Sequence, residues 1–383
     1  ALNNSRVRFD GIEKFRIDGQ ALFTGVNFIE DSKGEGGFGG GVLLPAYNKI
    51  EIATMTLPAS ANLTLSGATL RVSSLTALGT VTLDSVDGWL GSVLEQTGTS
   101  QWTIGSLIVK GGSKVTHKAN SSQKQYAVNM RVLGDMTVEP GGSVDVSGLG
   151  YAGGASGQNG SGPGFGYGDT INGGGGAGYG GSGGRGHGGT LGGLSYGSIS
   201  EPEDLGSGGG GGNGVIGGVG GGAINILVGG TLTVNGSLLA KGYDGATNGS
   251  YGGGGGAGGS INIISGALTG TGMLNAGGGI GGVGDIRGGG GGAGGRISGA
   301  TAFSGTVEID GGNKGSLGPT NGQNGTFNDQ TIVAPSVVDA AFYDISVTSL
   351  SVRWDAGGNP GGTKYYVELS NTSDYSGVLI SSI

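Results

Sequence analysis

Three copies of one phrase, each introduced by a run of glycines, constrain the fold of this chain more than any other feature. The copies are GGGAINILVGGTLTVNGSLLAKG (220–242), GAGGSINIISGALTGTGMLNAGGG (256–279) and GAGGRISGATAFSGTVEIDGG (292–312). Ile224, Ile261 and Ile297 are equivalent, so the period is 36–37 residues. A fixed period of this size indicates stacked units, each of which covers the apolar edge of the next. We therefore expect two strands per copy, joined by a glycine turn, with the three isoleucines in one core row.

The glycine tracts between these phrases carry a pattern of their own. The sequence contains 99 glycines but only 8 prolines, which argues against collagen, whose strict Gly-X-Y repeat is rich in proline. A flexible linker is the ordinary interpretation of such composition. However, the tracts recur at one phase of the repeat and contain Ile216, Val219, Ile280, Val283 and Ile286. A linker does not require phased aliphatic residues, so we predict that the tracts are ordered.

Ordering so many glycines has a large entropic cost, about 0.5–1 kcal/mol per residue relative to alanine. Polyglycine II helices, which are left-handed with three residues per turn, have no internal hydrogen bonds. Side by side, they can exchange N–H···O=C bonds, and without Cβ atoms they approach closely enough for weak Cα–H···O contacts. We therefore predict a domain of β-strands and polyglycine II helices over residues 141–330.

Residues 1–140 carry short alternating stretches such as KIEIATMTL and GTVTLDSV, bounded by Gly, Asn and Asp. Alternation with a period of two, rich in Val, Ile, Leu and Thr, is typical of β-strands. No stretch shows helical periodicity, so the predicted fold class is all-β. The close spacing of these strands is compatible with a β-solenoid or a β-sandwich as the N-terminal domain.

Some of these phrases resemble known proteins. GGGGGAGG, GGSINI and YGSISEPEDLGSGGGG (196–211) resemble the glycine-rich β-solenoid repeats of large bacterial surface proteins. The tracts are similar to the polyglycine II bundles of phage tail-tip adhesins and of some receptor tyrosine kinases. These resemblances imply an extracellular scaffold or adhesin, and they assign no chemistry.

The C-terminal segment, 331–383, changes in character and resembles the first half of a fibronectin type III module. A proline-led strand precedes SLSVRW, which places Trp354 in a core, and TKYYVELS, which turns Tyr366 inward. Such modules are immunoglobulin-like sandwiches of seven strands, so about half of one is present. A half sandwich exposes apolar surface and open edges. Truncation of a longer chain, packing on the rest of this chain, or completion by a neighbouring subunit would each account for it.

Completion by a neighbour suggests a route to assembly. The N-terminal strands RVRFD and KFRIDGQ of the next copy would add to the open edge. A head-to-tail contact of this kind does not close, and it generates a filament. The predicted interface residues are Val7, Phe9, Phe15, Ile17, Trp354, Tyr366 and Leu379.

Groups suited to catalysis are few. The chain contains 2 histidines, His117 and His187, in separate segments, and we expect each to be an exposed strand or loop residue rather than part of a triad or metal site. We predict no catalytic residue, no cofactor and no metal, and that the protein is not an enzyme. A polysaccharide enzyme on a β-helix, with paired carboxylates, is the weakest alternative.

Aromatic residues flank the glycine tracts. The rings of Tyr167, Tyr179, Tyr196 and Tyr251 could stack on sugars, although covering bare backbone is the simpler interpretation. The formal net charge of −8 offers no basic stripe for nucleic acid, and the longest apolar stretch is too short to insert across a membrane. The expected partners are copies of the same chain or glycans.

These features together predict an extracellular or cell-surface structural protein. It would assemble with itself into a filament, sheath or surface layer. A cell-surface adhesin or carbohydrate-binding scaffold is the alternative.

Overall fold

The computed structural model describes residues 51–328, apart from 58, 60–61, 87–89, 300–302 and 317–318. It describes only the backbone of residue 52 and of the strands outside that range. The chain divides into two units, Ala1–Asn328 and Asp329–Ile383. The described residues contain no α-helix, and a short 3₁₀ turn at His187–Gly189 accompanies the strands and loops. The all-β prediction is confirmed.

The first unit contains one large, mostly parallel sheet, and Arg6–Arg8 and Asn27–Ile29 form a separate two-stranded sheet. Its strands begin with β1 (Leu2–Asn3), β2 (Arg6–Arg8), β3 (Lys14–Thr24), β4 (Asn27–Ile29), β5 (Gly41–Leu44), β6 (Lys49–Leu57), β7 (Asn62–Ser66), β8 (Thr69–Val86), β9 (Leu90–Gly91), β10 (Val93–Gln96) and β11 (Trp102–Val109). They continue with β12 (Lys114–His117), β13 (Val128–Val132), β14 (Met136–Val138), β15 (Ser143–Asp145), β16 (Ala223–Val234), β17 (Ser237–Leu239), β18 (Ser260–Thr269), β19 (Met273–Asn275), β20 (Arg296–Ser298), β21 (Thr306–Glu308) and β22 (Thr326–Asn328).

Parallel pairing stacks these strands in three columns. The first column contains the starts of β3, β6 and β8, followed by β10, β12, β15, β17, β19 and β21. The second column passes through the start of β11, β13, the starts of β16 and β18, β20 and β22. The third contains β5, β7 and the ends of β8 and β11, then β14 and the ends of β16 and β18. Successive circuits of the chain therefore extend the columns, of which the third ends at β18 in the described residues.

The register of the second column forms the predicted core row. Ile224 pairs with Ile261, and Ile261 pairs with Ile297. All three side chains have no exposed surface. Alternation places every second residue of each strand inside the stack, where equivalent residues of successive circuits lie directly over one another. The prediction of a shared isoleucine row is confirmed.

Each repeat contains two strands among the described residues, which is the number predicted. The second strands of the three copies are Ser237–Leu239, Met273–Asn275 and Thr306–Glu308, all in the first column. In β17 only the middle residue, Leu238, is buried. The first strands of the copies at 220–242 and 256–279 are longer, and each of them pairs in both the second and the third column.

Shortening a side chain in the core row should destabilise the first unit. Ile261→Ala removes buried methyl and methylene groups where the neighbouring strands hold the space open, so the free energy of unfolding should fall by about 2–5 kcal/mol. Ile280→Ala is the matched control, because Ile280 is exposed and its truncation should cost less than about 0.5 kcal/mol. Chemical denaturation of both variants measures the difference, and equal losses would contradict the assigned core row.

The glycine tracts leave the stack at one corner. Each follows a strand of the first column, runs outward, and returns to a strand of the second. The four excursions cover residues 146–222, 240–259, 276–295 and 309–325. The first is much longer than the others and turns back several times. The sheet therefore positions a separate glycine array beside the stacked strands.

The second unit contains two antiparallel strand pairs. β23 (Ser336–Tyr343) pairs with β24 (Ser351–Asp355), and β25 (Val367–Ser370) pairs with β26 (Leu379–Ser382). Trp354 lies in β24 opposite Val337, and Tyr366 lies outside the described residues. The likeness to a fibronectin type III module and the predicted division into 1–140, 141–330 and 331–383 stay predictions.

Candidate interaction surfaces of the glycine array

Lateral hydrogen bonds follow a period of three residues in the glycine array. In tract 252–259, every third N–H donates to the same neighbouring tract, at 2.7–3.0 Å between nitrogen and oxygen. The donor–acceptor pairs are Gly252–Arg287, Gly255–Gly290 and Gly258–Ala293 toward one tract, Gly253–Ala246, Gly256–Tyr243 and Gly259–Ala240 toward a second, and Gly254–Gly210 and Ala257–Ser207 toward a third. Backbone groups buried in this way are satisfied without strands or helices of the usual kinds.

The carbonyl groups of the same tract accept hydrogen bonds from three other directions. The donors are the N–H groups of Gly218 and Gly221, of Gly174 and Ala177, and of Gly279 and Gly282. Tract 252–259 is therefore enclosed by six others, and its residues are buried. The same bonding encloses tracts 173–180 and 288–295. The array is consequently an ordered, closely packed body of backbone, as predicted for the glycine tracts.

Close approach of the tracts explains the choice of glycine. A Cβ atom on Gly254 would lie 1.8 Å from the carbonyl oxygen of Gly175, and one on Gly291 would lie 1.9 Å from that of Gly312. Any side chain at these positions would separate the tracts and break their hydrogen bonds. Glycine is therefore required here by the short distance between tracts rather than by an unusual backbone angle.

The hydrogen bonds arrange the tracts in four layers. The first layer contains 240–246, 276–282 and 309–315, and the second contains 217–222, 252–259, 287–295 and 320–325. The third contains 206–212, 173–180 and 181–185, and the fourth contains 158–161, 164–168 and 190–194. The first and fourth layers thus form opposite outer faces of the array.

The phased aliphatic residues of the glycine tracts lie on the outside of the array. Ile280, Val283 and Ile286 are three residues apart and are 42–56% exposed, and Ile216 is similarly exposed. Leu191 and Leu194 repeat the spacing of three on the fourth layer and are also exposed. Their spacing of three residues therefore matches the three-residue period of the hydrogen bonds.

The four tyrosines considered for sugar stacking lie in different environments. Tyr167 is exposed on the fourth layer, with its ring centroid 5.0 Å from that of Phe165. Tyr251 is half-buried beside Arg287, and Tyr196 is half-buried with its hydroxyl donating to the carbonyl of Leu205. Tyr179 has no exposed surface. This corrects the suggestion that Tyr179 stacks on a sugar, because a ring buried at the end of a glycine tract has no accessible face.

Tyr179 belongs to a buried polar cluster that joins the array to the strands. Its hydroxyl is 2.6 Å from Oγ of Ser260 in β18, and burial raises its pKa well above the ordinary value. The guanidinium group of Arg296 lies 5.3 Å from the Tyr179 ring and donates to the carbonyl oxygens of Tyr179 and Tyr196. The cluster satisfies backbone groups where the glycine tracts end, which indicates a structural role.

Removing the Tyr179 hydroxyl should weaken this junction. Tyr179→Phe breaks a buried hydrogen bond and should lower the free energy of unfolding by about 1–2 kcal/mol. Tyr167→Phe provides the control, because its hydroxyl lies on the surface and its loss should be neutral. Thermal or urea denaturation measures both changes. If Tyr179→Phe left the free energy of unfolding unchanged, a stabilising role for the hydroxyl would be excluded.

The structure corrects the expectation that His117 is exposed. His117 is 2% exposed in β12. Its Nδ1 lies 2.8 Å from the carbonyl of Lys118, and Nε2 has no hydrogen-bond partner among the described residues. A Cβ on Gly222 would lie 2.3 Å from Nε2, so the ring packs against the point where a glycine tract enters β16. Burial lowers the pKa of His117 to about 4.

The structure keeps the two histidines apart and shows no metal-binding group in its described part. His117 and His187 lie in separate elements, and no group of three or more His, Cys, Asp and Glu residues is placed to hold a metal ion among the residues described. The same residues contain no helix that is long and apolar enough to cross a membrane.

The predicted assembly residues lie mostly where only backbone is described. Val7 is in β2, and Phe15 and Ile17 are in β3, where they pair with Ile50 and Ile52 of β6 in the same chain. Leu379 is in β26, whereas Phe9 and Tyr366 lie outside the described residues. β3 is therefore part of this chain's own parallel sheet, a placement that the alternating sequence did not reveal.

Comparison of the chain with family models, with curated proteins and with solved structures finds no match.

Proposed function

We propose that this protein is an extracellular or cell-surface structural protein whose copies assemble into a filament, sheath or surface layer. In this proposal the three strand columns form a β-solenoid, and the array beside them is a bundle of polyglycine II helices. The enclosure of tract 252–259 by six hydrogen-bonded neighbours is the observation that carries the proposal. The period of three in its bonding matches three residues per turn.

Two properties of the array support a structural role: its backbone is rigid, and its glycine positions carry no side chains that could form a binding site. Bonding in six directions leaves the backbone of the enclosed tracts little freedom to move, and glycine positions admit no side chain that could recognise a small molecule. Stacked parallel strands similarly extend in one direction by repetition. A chain built from both elements is suited to transmit load or to keep surfaces apart.

Electron microscopy of the purified full-length chain tests this proposal. Negatively stained samples at increasing protein concentration should show uniform fibres or sheets without added ligand. Sedimentation velocity on the same samples should show a matching loss of monomer. A protein that stays monomeric throughout the series would overturn the proposal.

A head-to-tail contact through the N-terminal strands and the open edge of the second unit is one route to such assembly. Deleting residues 1–13 removes β1 and β2 but retains β3, which pairs within its own sheet. If this contact is the one that builds the filament, filaments should be lost while the spectrum of the folded strands is kept. Filaments that persist after the deletion would exclude the β1 and β2 segment from the contact.

An adhesin is the second candidate, favoured by the exposed Tyr167 beside Phe165. Paired aromatic rings offer an apolar platform that a sugar face can cover. A glycan array should then show binding that Tyr167→Ala abolishes and that Tyr243→Ala, an exposed tyrosine on the opposite layer, preserves. Absence of binding to any glycan by the unsubstituted protein would remove support for this alternative.

A further inference from the structure

Both outer layers of the glycine array carry exposed apolar ridges. On the first layer, which we name face 1, the ridge residues are Tyr243, Ile280 and Val283, exposed by 42–56%. On the fourth layer, named face 2, they are Leu191, Leu194 and Tyr167, exposed by 42–75%. Contiguous apolar patches on a soluble protein commonly mark interaction sites.

The two faces have the same pitch. Ile280 and Val283 are separated by three residues, and so are Leu191 and Leu194. At about 3.1 Å per residue, three residues of a polyglycine II helix advance about 9 Å, so the ridges on both faces repeat at the same distance. Ridges of equal pitch on flat, inflexible faces can interdigitate, because neither surface has to change its spacing to meet the other.

The faces also lie on opposite sides of the same array. Hydrogen bonds lead from tract 276–282 to 288–295, from there to 173–180, and finally to 164–168 and 190–194. A molecule with matching faces on opposite sides can bind one copy on each side. A contact between different faces does not close by itself and continues from copy to copy.

We propose that face 1 of one copy docks on face 2 of a second copy, so that glycine arrays stack on one another in the assembled protein. The inference rests on the proposed self-assembly and assigns it a contact surface. Ile280 and Val283 would pack between the ridges formed by Leu191 and Leu194 of the neighbouring copy. The contact is apolar at its centre, so a charge introduced there would be desolvated without a partner.

Two charged variants test the proposal separately from self-assembly itself. Ile280→Lys with Val283→Lys blocks face 1, and Leu191→Lys with Leu194→Lys blocks face 2. All four residues are exposed, so both variants should fold, which circular dichroism and thermal unfolding verify. Thr271→Lys, on an exposed turn of the strand stack, is the control for added charge.

Sedimentation velocity over about 1 µM to 1 mM should show each variant as a monomer, with self-association weakened at least about 100-fold. An equimolar mixture should form a 1:1 heterodimer and nothing larger, because one intact face 1 and one intact face 2 remain. Variants that assemble like the unsubstituted protein would overturn this contact and leave the proposed function standing. A face-2 variant that forms a homodimer would show a symmetric contact instead and would equally overturn the proposal. An unsubstituted protein that stays monomeric would overturn the proposed function and the docking proposal together.

Discussion

Gly254→Ala is expected to disrupt the centre of the glycine array and to lower the free energy of unfolding by about 3 kcal/mol or more. The added Cβ would lie 1.8 Å from the carbonyl oxygen of Gly175, and both atoms belong to tracts enclosed by six neighbours. Relief requires the tracts to move apart, which breaks hydrogen bonds beyond the substituted residue. Denaturation followed by circular dichroism, together with amide exchange, measures the loss.

Gly277→Ala is the matched control for this substitution. Gly277 lies in the first layer, and a Cβ there would meet its nearest atom, Oδ1 of Asn275, at 3.2 Å and the carbonyl oxygen of Asp310 at 3.5 Å. The change should therefore cost less than about 1 kcal/mol, since only a small adjustment is needed. If Gly254→Ala proved as mild as Gly277→Ala, the close packing of the tracts would be refuted.

The free energy of unfolding should fall by about 3 kcal/mol between pH 6.5 and pH 4 because of His117 alone. Burial lowers the pKa of His117 from 6.5 to about 4 in the folded protein. Between these values the unfolded chain binds a proton that the folded chain does not, so stability rises with pH through this window. The loss is complete below pH 4, and above pH 6.5 the residue makes no pH-dependent contribution.

His117→Gln separates this effect from that of the carboxylates. Gln96 occupies the paired position in β10, so an amide side chain is already accommodated in the same row. Urea denaturation at several pH values should show a shallower decline for the variant than for the unsubstituted protein. Parallel declines would mean that His117 is not the buried neutral base described here.

Much of the strand stack was predictable because its signals are local. Alternation in KIEIATMTL and the shared phase of Ile224, Ile261 and Ile297 both result from one face of a strand being buried. Two strands per repeat were predicted and are present, but the pattern did not show that the long strand β16 pairs in two columns. Alternation shows which side of a strand is buried, but not which strands lie beside it.

The order of the glycine tracts was predictable, whereas their neighbours were not. A regular phase distinguished the tracts from a linker, but polyglycine carries no side chains that specify which tracts meet. The same limitation applies to Tyr179 and Tyr167, which look alike beside glycine: one fills a space at the end of a tract and the other faces outward. The burial of His117 likewise depends on Gly222, more than a hundred residues away in sequence.

Native-state hydrogen exchange across 252–259 and 288–295 tests the enclosure of these tracts most directly. The amides of 252–259 and 289–295 donate to carbonyl groups of neighbouring tracts, so they should exchange as slowly as those of the buried strands β16 and β18. Exchange of these amides at the rate of an unstructured peptide, while β16 and β18 stay protected, would show the tracts to be flexible linkers.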